Sequence, residues 1–217
     1  MPRILALADE IDPGLTFETV RRLAPDLLVS CGDLPFDELE RIIDAANVPL
    51  VYVPGNHDPD LRAKAELVAL PPTLAPHDLS DPGPGGGTNV DGRIEDAAGL
   101  RVAGLGGSPR YRDGPNQYTQ AQMRRRARRL VRRAAIRRWR DRREVDLLVT
   151  HAPPRGVGDV EDDPVHHGFE AFLDLVRRLR PRLLVHGHVH PYSGHRPELE
   201  IGGTRVVNVV PHRLLEV

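Results

Sequence analysis

The chain has 217 residues and a formal net charge of −1, which suits one domain, predicted over residues 1–217, and argues against nucleic-acid binding over the whole surface. Its single cysteine, Cys31, excludes an internal disulfide and favours a reducing, cytoplasmic location. No apolar run approaches the length of a membrane span, so we expect no membrane partner.

The first quarter of the chain alternates apolar runs with helical patterns. Apolar runs at Arg3–Ala8, Asp26–Cys31 and Leu50–Val53 predict buried strands. Helical apolar spacing follows the first two runs, at Thr16–Leu23, which begins with a suitable N-cap, and at Asp37–Ala46. Short βαβαβ connections of this kind predict a parallel sheet that is covered on both faces.

The middle of the chain is less regular. Pro71–Asn89 is rich in proline and glycine and predicts a surface loop. Arg93–Glu95 and Leu100–Leu105 predict antiparallel strands around a turn. Gln120–Arg143 predicts one long helix with an apolar stripe and many arginines. We interpret the arginines as a solvated outer face, with a platform for nucleotides, RNA or acidic partners as the alternative.

The last third returns to apolar runs. Val145–Thr150 and Arg182–Val185 predict buried strands, and Phe169–Leu179 predicts a helix between them. Short β runs alternate over Leu199–Val217. The acidic stretch Asp159–Asp163 precedes a pair of histidines and suits either a solvated loop or a lid over a substrate.

Polar residues with catalytic potential follow five of the predicted strands. Ligands bind beyond the carboxyl ends of strands in open α/β sheets, so we expect these residues to converge. Carboxylate, amide and imidazole groups together suit Mn, Fe, Co, Ni or Zn. Taken singly, Asp33 also suits a helix cap and His151 a buried core histidine, whereas His188 and His190 would share one face of a strand-like segment. The strand-end motifs are Asp9, Gly32-Asp33, Gly55-Asn56-His57-Asp58, His151 and Gly187-His188-Val189-His190.

The order of these motifs resembles that of the calcineurin-like metallophosphoesterases. The resemblance runs from Asp9 to His190, nearly the whole chain. It implies an α/β fold in which two mixed β-sheets pack as a sandwich flanked by helices. It also implies a metal-dependent hydrolase that cleaves phosphomonoester or phosphodiester bonds by a metal-activated hydroxide at a dinuclear site.

The resemblance further implies two divalent metal ions, with Mn preferred and Fe, Zn, Ni or Co as alternatives. Asp33 would bridge the two ions. The remaining ligands would be Asn56, His151 and His188 at the second ion, and Asp9 and His190 at the first.

The first motif departs from the family pattern. The usual Asp-x-His is replaced here by Asp9-Glu10-Ile11, and isoleucine offers no lone pair. Glu10 or Asp12 could substitute as a ligand, water could fill the position, or the first ion could bind more weakly than the second. A carboxylate at this position would favour Mn over Zn.

Other residues of the motifs would act on the substrate. By resemblance, His57 protonates the leaving oxygen or stabilises the transition state, and Asp58 orients His57. Gly106–Arg110 and Thr150–Pro154 also resemble small bacterial members of the family, and Arg110 is a candidate substrate-binding residue. Related small members further suggest that His166, on the possible lid, contacts the substrate phosphate.

These features predict a small phosphate ester as substrate, with nucleotides among the candidates. One alternative is a regulatory protein that binds a phosphate ligand and has lost turnover through its degenerate first metal site. Another is a nuclease that uses the Arg-rich helix, although the chain has little room for a separate domain that grips DNA. The sequence predicts neither the natural substrate nor the oligomeric state.

Overall fold

A computed structural model describes residues 1–60, 83–191 and 197–217 of the chain. The predicted loop at Pro71–Asn89 therefore lies outside the described residues as far as residue 82. Its last three residues form a strand, which corrects that part of the prediction. Within the described ranges, no helix is both long and apolar enough to cross a membrane.

Four α-helices occur in the described residues, and each predicted helix is among them. They are α1 (Phe17–Leu23), α2 (Phe36–Ala46), α3 (Gln120–Asp141) and α4 (Glu170–Leu179). Thr16 caps α1 as predicted, because its hydroxyl accepts a hydrogen bond from the Thr19 amide at 3.2 Å. Helix α3 ends two residues earlier than predicted, at a left-handed cap formed by Arg142.

Thirteen strands occur in the same part of the chain. They are β1 (Arg3–Leu7), β2 (Leu27–Ser30), β3 (Leu50–Tyr52), β4 (Gly87–Asn89), β5 (Ile94–Ala97), β6 (Leu100–Leu105), β7 (Ser108–Pro109), β8 (Gln117–Tyr118), β9 (Leu147–Thr150), β10 (Leu183–His186), β11 (Leu199–Ile201), β12 (Thr204–Asn208) and β13 (His212–Glu216).

These strands form two mixed sheets and one short pair. The five-stranded sheet has the order β13-β1-β2-β3-β4, and only β13 runs antiparallel to its neighbour. The six-stranded sheet has the order β11-β12-β10-β9-β6-β5, with antiparallel strands at both edges and parallel strands between them. Strands β7 and β8 pair separately. The mixed sheets and flanking helices confirm the fold class implied by the resemblance.

Alternate side chains of the central strands face different parts of the core. On β1, Ile4 and Ala6 pack against the six-stranded sheet, whereas Leu5 faces α1 and α2. On β9, Leu147 packs between the sheets and Leu148 packs beneath α3 and α4. Both faces of these strands are buried, so the sequence shows continuous apolar runs and no polar alternation.

A buried arginine anchors the end of α3 to the sheet beneath it. Arg101 on β6 is 2% exposed. Its guanidinium donates to both carboxylate oxygens of Asp96 at 2.9 and 3.1 Å and to both of Asp141 at 2.8 and 2.5 Å. The fifth N–H donates to the Arg143 carbonyl at 3.1 Å. All five donors of the guanidinium are therefore satisfied.

We predict that Arg101→Met lowers the free energy of unfolding by about 1–3 kcal/mol, because it breaks this network while conserving most of the buried volume. Arg129→Met is the matched control on the exposed side of α3 and should change stability by less than about 0.5 kcal/mol. Urea denaturation of both variants measures the difference. Equal losses would show that the network contributes no specific stability.

Candidate metal centre

The predicted strand-end residues come together where the two sheets meet. The amide of Asp9, beyond β1, donates to the Gly32 carbonyl at 3.1 Å, beyond β2. The amide of His57, beyond β3, donates to Asp33 Oδ1 at 2.8 Å. On the other sheet, the Gly187 amide donates to the His151 carbonyl at 3.0 Å. The two groups meet where the His188 amide, beyond β10, donates to Asp9 Oδ2 at 2.9 Å, so five strand ends from two sheets converge on one place.

His151 lies at the centre of this convergence and is fully buried. Its Nδ1 donates to the Cys31 carbonyl at 2.8 Å. Its Nε2 faces two oxygen atoms, Oδ1 of Asn56 at 2.9 Å and Oδ2 of Asp33 at 3.3 Å. Asp9 also approaches, since ligand atoms of Asp9, Asp33 and His151 lie within 4.8 Å of one another.

The electrostatics of this cluster favour a cation. Burial lowers the pKa of the His151 imidazole, but the Asp33 and Asp9 carboxylates outweigh burial and raise that pKa to about 9. Burial raises the pKa of Asp33, but His151 outweighs it and lowers that pKa to about 2. Limited solvation raises the pKa of Asp9 to about 6. A bound metal ion would replace the proton that this arrangement holds.

His188 packs beside this imidazole. The two rings have centroids 4.8 Å apart. The main-chain amide of His188 donates to Asp9 Oδ2 at 2.9 Å, and its ring Nε2 donates to the Val165 carbonyl at 2.8 Å. Burial and the charge on His151 lower the pKa of His188 to about 3, so the ring is neutral and keeps a lone pair on Nδ1.

The backbone here differs from the predicted strand-like segment. Strand β10 ends at His186, and His188 has a left-handed conformation with φ of 66°. The expectation that His188 and His190 share one face of a strand is therefore wrong. Asp9 and Asp33 are also left-handed, with φ values of 62° and 58°.

Two motif glycines permit the close approach of these strand ends. A Cβ atom on Gly55 would lie 2.0 Å from Asp33 Oδ1, and one on Gly187 would lie 2.2 Å from Asp9 Oδ2. Any side chain at either position would collide with a carboxylate of the cluster. The glycines of Gly-Asn-His-Asp and Gly-His-Val-His are thus required by space.

Asp58 contacts the main chain of the site. Its Oδ2 accepts hydrogen bonds from the amides of Gly55 at 2.7 Å and Asp33 at 3.0 Å. The His57 ring is exposed at the rim, and within the described ranges no hydrogen bond joins it to the Asp58 carboxylate. The observed contacts of Asp58 hold two motif loops together, while its predicted orientation of His57 stays a prediction.

The residues predicted around the first metal position contact other side chains and main-chain groups. His190 is partly exposed and donates from Nδ1 to Glu10 Oε1 at 2.6 Å. Asp12 accepts from the Gly14 amide at 2.7 Å and faces His212 Nδ1 at 2.9 Å. Ile11 is 55% exposed. Glu10 is therefore the better placed of the two substitute ligands, because it already contacts a predicted ligand of the first ion.

His166 borders the site on the other side. It ends a short 3₁₀ turn (Pro164–His166), and its Nδ1 donates to Asp163 Oδ2 at 2.6 Å. Its ring centroid lies 5.3 Å from that of His188 and 6.4 Å from that of His190. This position is compatible with the predicted substrate contact.

Sequence reasoning missed Tyr111, whose hydroxyl accepts a hydrogen bond from Asn56 Nδ2 at 3.2 Å. This contact holds the amide so that Oδ1 faces His151. Arg110, the predicted substrate-binding residue, is exposed next to Tyr111 in the same loop. The position of Tyr111 directly after Arg110, in a loop that follows a strand, was the available signal.

Residues 3–192 match the family model described as calcineurin-like phosphoesterase. The chain belongs to the calcineurin-like phosphoesterase family. That membership shows the fold and supports metal-dependent phosphoester chemistry in general terms.

Comparison with solved structures agrees on the fold. One crystal structure matches with a TM-score of 0.62 at 19% identity, covering 96% of this chain and 90% of that chain. TT1561 of Thermus thermophilus matches with a TM-score of 0.60 at 18% identity, covering 95% and 88%. GAP50, the anchor in the inner membrane complex of Plasmodium, gives 0.51 at 11% identity, covering 95% and 70%. No curated protein gives a significant match.

The side chains of this calcineurin-like site fit a divalent transition metal. His151 and His188 each donate a hydrogen bond from one ring N–H to a main-chain carbonyl, as metal-binding histidines usually do. Their remaining nitrogens, with oxygens of Asp33 and Asn56, would offer a metal ion two nitrogen and two oxygen ligands. Such a set suits Mn, Fe, Co, Ni or Zn.

We predict that Gly187→Ala weakens metal binding about 10–100-fold, because the added methyl group displaces the Asp9 carboxylate. Calorimetric titration of metal-stripped protein with Mn measures the change. Gly85→Ala is the control, since its Cβ would meet only the end of the Glu40 side chain, at 3.3 Å. Unchanged Mn affinity in a folded Gly187→Ala protein would show that Asp9 takes no part in metal binding.

Proposed function

We propose that the protein hydrolyses phosphomonoesters or phosphodiesters at a dinuclear metal centre. The observation that carries this proposal is the buried cluster in which His151 Nε2 faces the Asp33 carboxylate and the Asn56 amide oxygen. A structural histidine would need one hydrogen-bond acceptor at this nitrogen. Two oxygens at this nitrogen, with a second carboxylate, that of Asp9, nearby, favour a multivalent cation.

The proposed ligands divide between two metal positions. Asp33 is proposed to bridge the two positions, and Asp9 to belong to the first. The second position is held by Asn56, His151 and His188, and the first also by His190. When bound, divalent ions lower the pKa of water and offset the charge of a phosphoryl group.

The first position is proposed to be the weaker. Ile11 supplies no ligand and is 55% exposed, so the chain provides three predicted ligands there and four at the second position. Glu10 adds a carboxylate if the Glu10–His190 contact opens toward an ion. A carboxylate in this place hardens the ligand set, which is the basis for preferring Mn.

His57 is proposed as the proton donor to the leaving oxygen. Its ring is exposed at the rim, where a substrate would arrive, and its main-chain amide is fixed by Asp33. The ring can therefore reach a bound ester while its backbone stays in register with the metal ligands. A small phosphate ester, including a nucleotide, is the proposed substrate, and the location proposed is the cytoplasm.

One observation favours a second candidate. GAP50 shares the fold and is described as an anchor, so the fold also occurs in a protein that is not described as an enzyme. The incomplete first metal position would suit a regulatory protein that binds a phosphate ligand without turnover. Binding without product formation distinguishes this candidate from the hydrolase.

The direct test is hydrolysis of bis(p-nitrophenyl) phosphate with added Mn. We expect turnover by the wild type and loss of both metal and turnover in Asp33→Asn, because Asp33 is the one proposed ligand shared by both ions. Asp44→Asn, an exposed change on α2, should leave both unchanged. An Asp33→Asn protein that keeps two metal ions per chain and near-normal turnover contradicts the dinuclear assignment. A wild type that binds the ester without hydrolysis supports the regulatory candidate.

We also predict that His57→Ala lowers turnover about 10²–10⁴-fold while metal content stays close to wild type. The loss should shrink with an acidic leaving group such as p-nitrophenolate, which needs no proton, and grow with phenolate. His167→Ala is the control, because the His167 ring is already engaged by the main chain. Its Nε2 donates to the Glu161 carbonyl at 2.9 Å. Equal losses across leaving groups would count against proton donation by His57.

A further inference from the structure

Helix α3 carries ten arginines and one acidic residue on a chain whose net charge is only −1. The arginines on its inner side and flanks are paired. Arg126 contacts Asp91, Arg137 lies 3.5 Å from Asp96, and Arg133 donates to a main-chain carbonyl. Arg124 and Arg138 have acidic partners at 3.4 and 2.9 Å.

The five remaining arginines have no ion-pair partner among the described residues, and all five are exposed. At 100° per residue they occupy a single arc of α3, opposite its buried stripe. The same arc includes Ile136, which is 51% exposed, and Trp139, which is 78% exposed. We call this surface the α3 basic face; its members are Arg125, Arg128, Arg129, Arg132, Ile136, Trp139 and Arg140.

A purely solvated face explains this surface poorly. Like charges three or four residues apart destabilise a helix, and Arg125, Arg128, Arg129 and Arg132 form several such pairs. The indole of Trp139 is largely apolar, so its exposure to water costs free energy that burial against a ligand would recover. Both costs are relieved by a ligand that combines negative charge with flat apolar groups.

A groove adjoins this face. It has a volume of about 390 Å³ and lies between α3 and α4. Its apolar floor includes Val131 and Leu175, and Arg128, Arg132 and Arg178 line it. The acidic residue of the lining is Asp174, which lies 3.5 Å from Arg177. The groove therefore extends the positive surface from α3 onto α4.

We propose that the α3 basic face binds single-stranded nucleic acid. Guanidinium groups bind phosphates in a planar, bidentate way, and an exposed indole stacks on unpaired bases. From Arg125 to Arg140 the face is about 22 Å long, which corresponds to about six stacked nucleotides at ~3.4 Å each. In a single strand the phosphates supply the negative charge and the unpaired bases supply the flat apolar surface. In a duplex the bases are paired and stacked on each other, so they are not available to Trp139.

This proposal does not depend on phosphoesterase activity, because the face is distinct from the metal centre. Binding is measured with the full-length chain and a fluorescein-labelled 12-nucleotide oligouridylate. EDTA is present so that hydrolysis cannot consume the probe. We expect saturable binding at 50 mM KCl that weakens steeply at 200 mM, together with a change in fluorescence of Trp139, the only tryptophan of the chain.

Two double variants show whether oligonucleotide binding depends on the α3 basic face or only on the total charge of the protein. Arg128→Gln with Arg132→Gln should weaken binding and reduce the slope of log affinity against log salt by about 1.4. The control, Arg21→Gln with Arg22→Gln, removes the same charge from exposed positions on α1 and should leave the slope unchanged. Both double variants should hydrolyse a small phosphodiester as the wild type does. Equal loss of binding in the two doubles would overturn the proposal.

Trp139→Ala should weaken oligouridylate binding about 5–100-fold, and Trp139→Phe should restore part of it. Binding is also measured to two other ligands, a 12-base-pair duplex and vesicles that contain phosphatidylserine. The proposal fails if no saturable binding to the oligonucleotide occurs at 50 mM KCl, or if vesicles bind and the oligonucleotide does not. It also fails if the duplex binds as tightly as the single strand and Trp139→Ala leaves both unchanged.

Discussion

The buried imidazole of His151 has to satisfy both of its nitrogens inside the protein, and the surrounding site is built on that requirement. One nitrogen donates to the Cys31 carbonyl and the other faces Asp33 and Asn56. These partners follow β2 and β3 of one sheet, whereas His151 follows β9 of the other. The same contacts that satisfy both nitrogens of the imidazole therefore fix how the two sheets meet, and sheet packing and site geometry cannot vary independently.

The fold was predictable where strands are buried on both faces. The runs that became β1, β2, β3, β9 and β10 are continuous and apolar, so composition alone marks them. Gly87–Asn89 has no such mark, because it is short and only partly buried, and its strand character comes from pairing with β3. His188 was misjudged for a related reason. Apolar periodicity carries no information on a single left-handed residue that follows a strand.

The site was predictable to the extent that its side chains follow strand ends. Singly these carboxylates and imidazoles have other uses, but their order along the chain predicted which side chains would come together. The partners that complete the geometry were not predictable. The carbonyls of Cys31 and Val165 belong to the main chain and leave no trace in residue type. Tyr111 reaches Asn56 from a loop far along the chain, and only the folded path of that loop brings the two together.

Three of the proposed metal ligands, Asp9, Asp33 and His188, have left-handed backbone conformations. For residues with a Cβ atom this conformation costs roughly 1 kcal/mol each, although aspartate tolerates it better than most. The protein thus gives up folding free energy where its ligands must point inward. Glycine would relieve this strain, although its greater freedom in the unfolded chain offsets part of the gain. It would also remove the carboxylate or the imidazole, so each of these three positions exchanges backbone strain for a side chain that a metal ion could use.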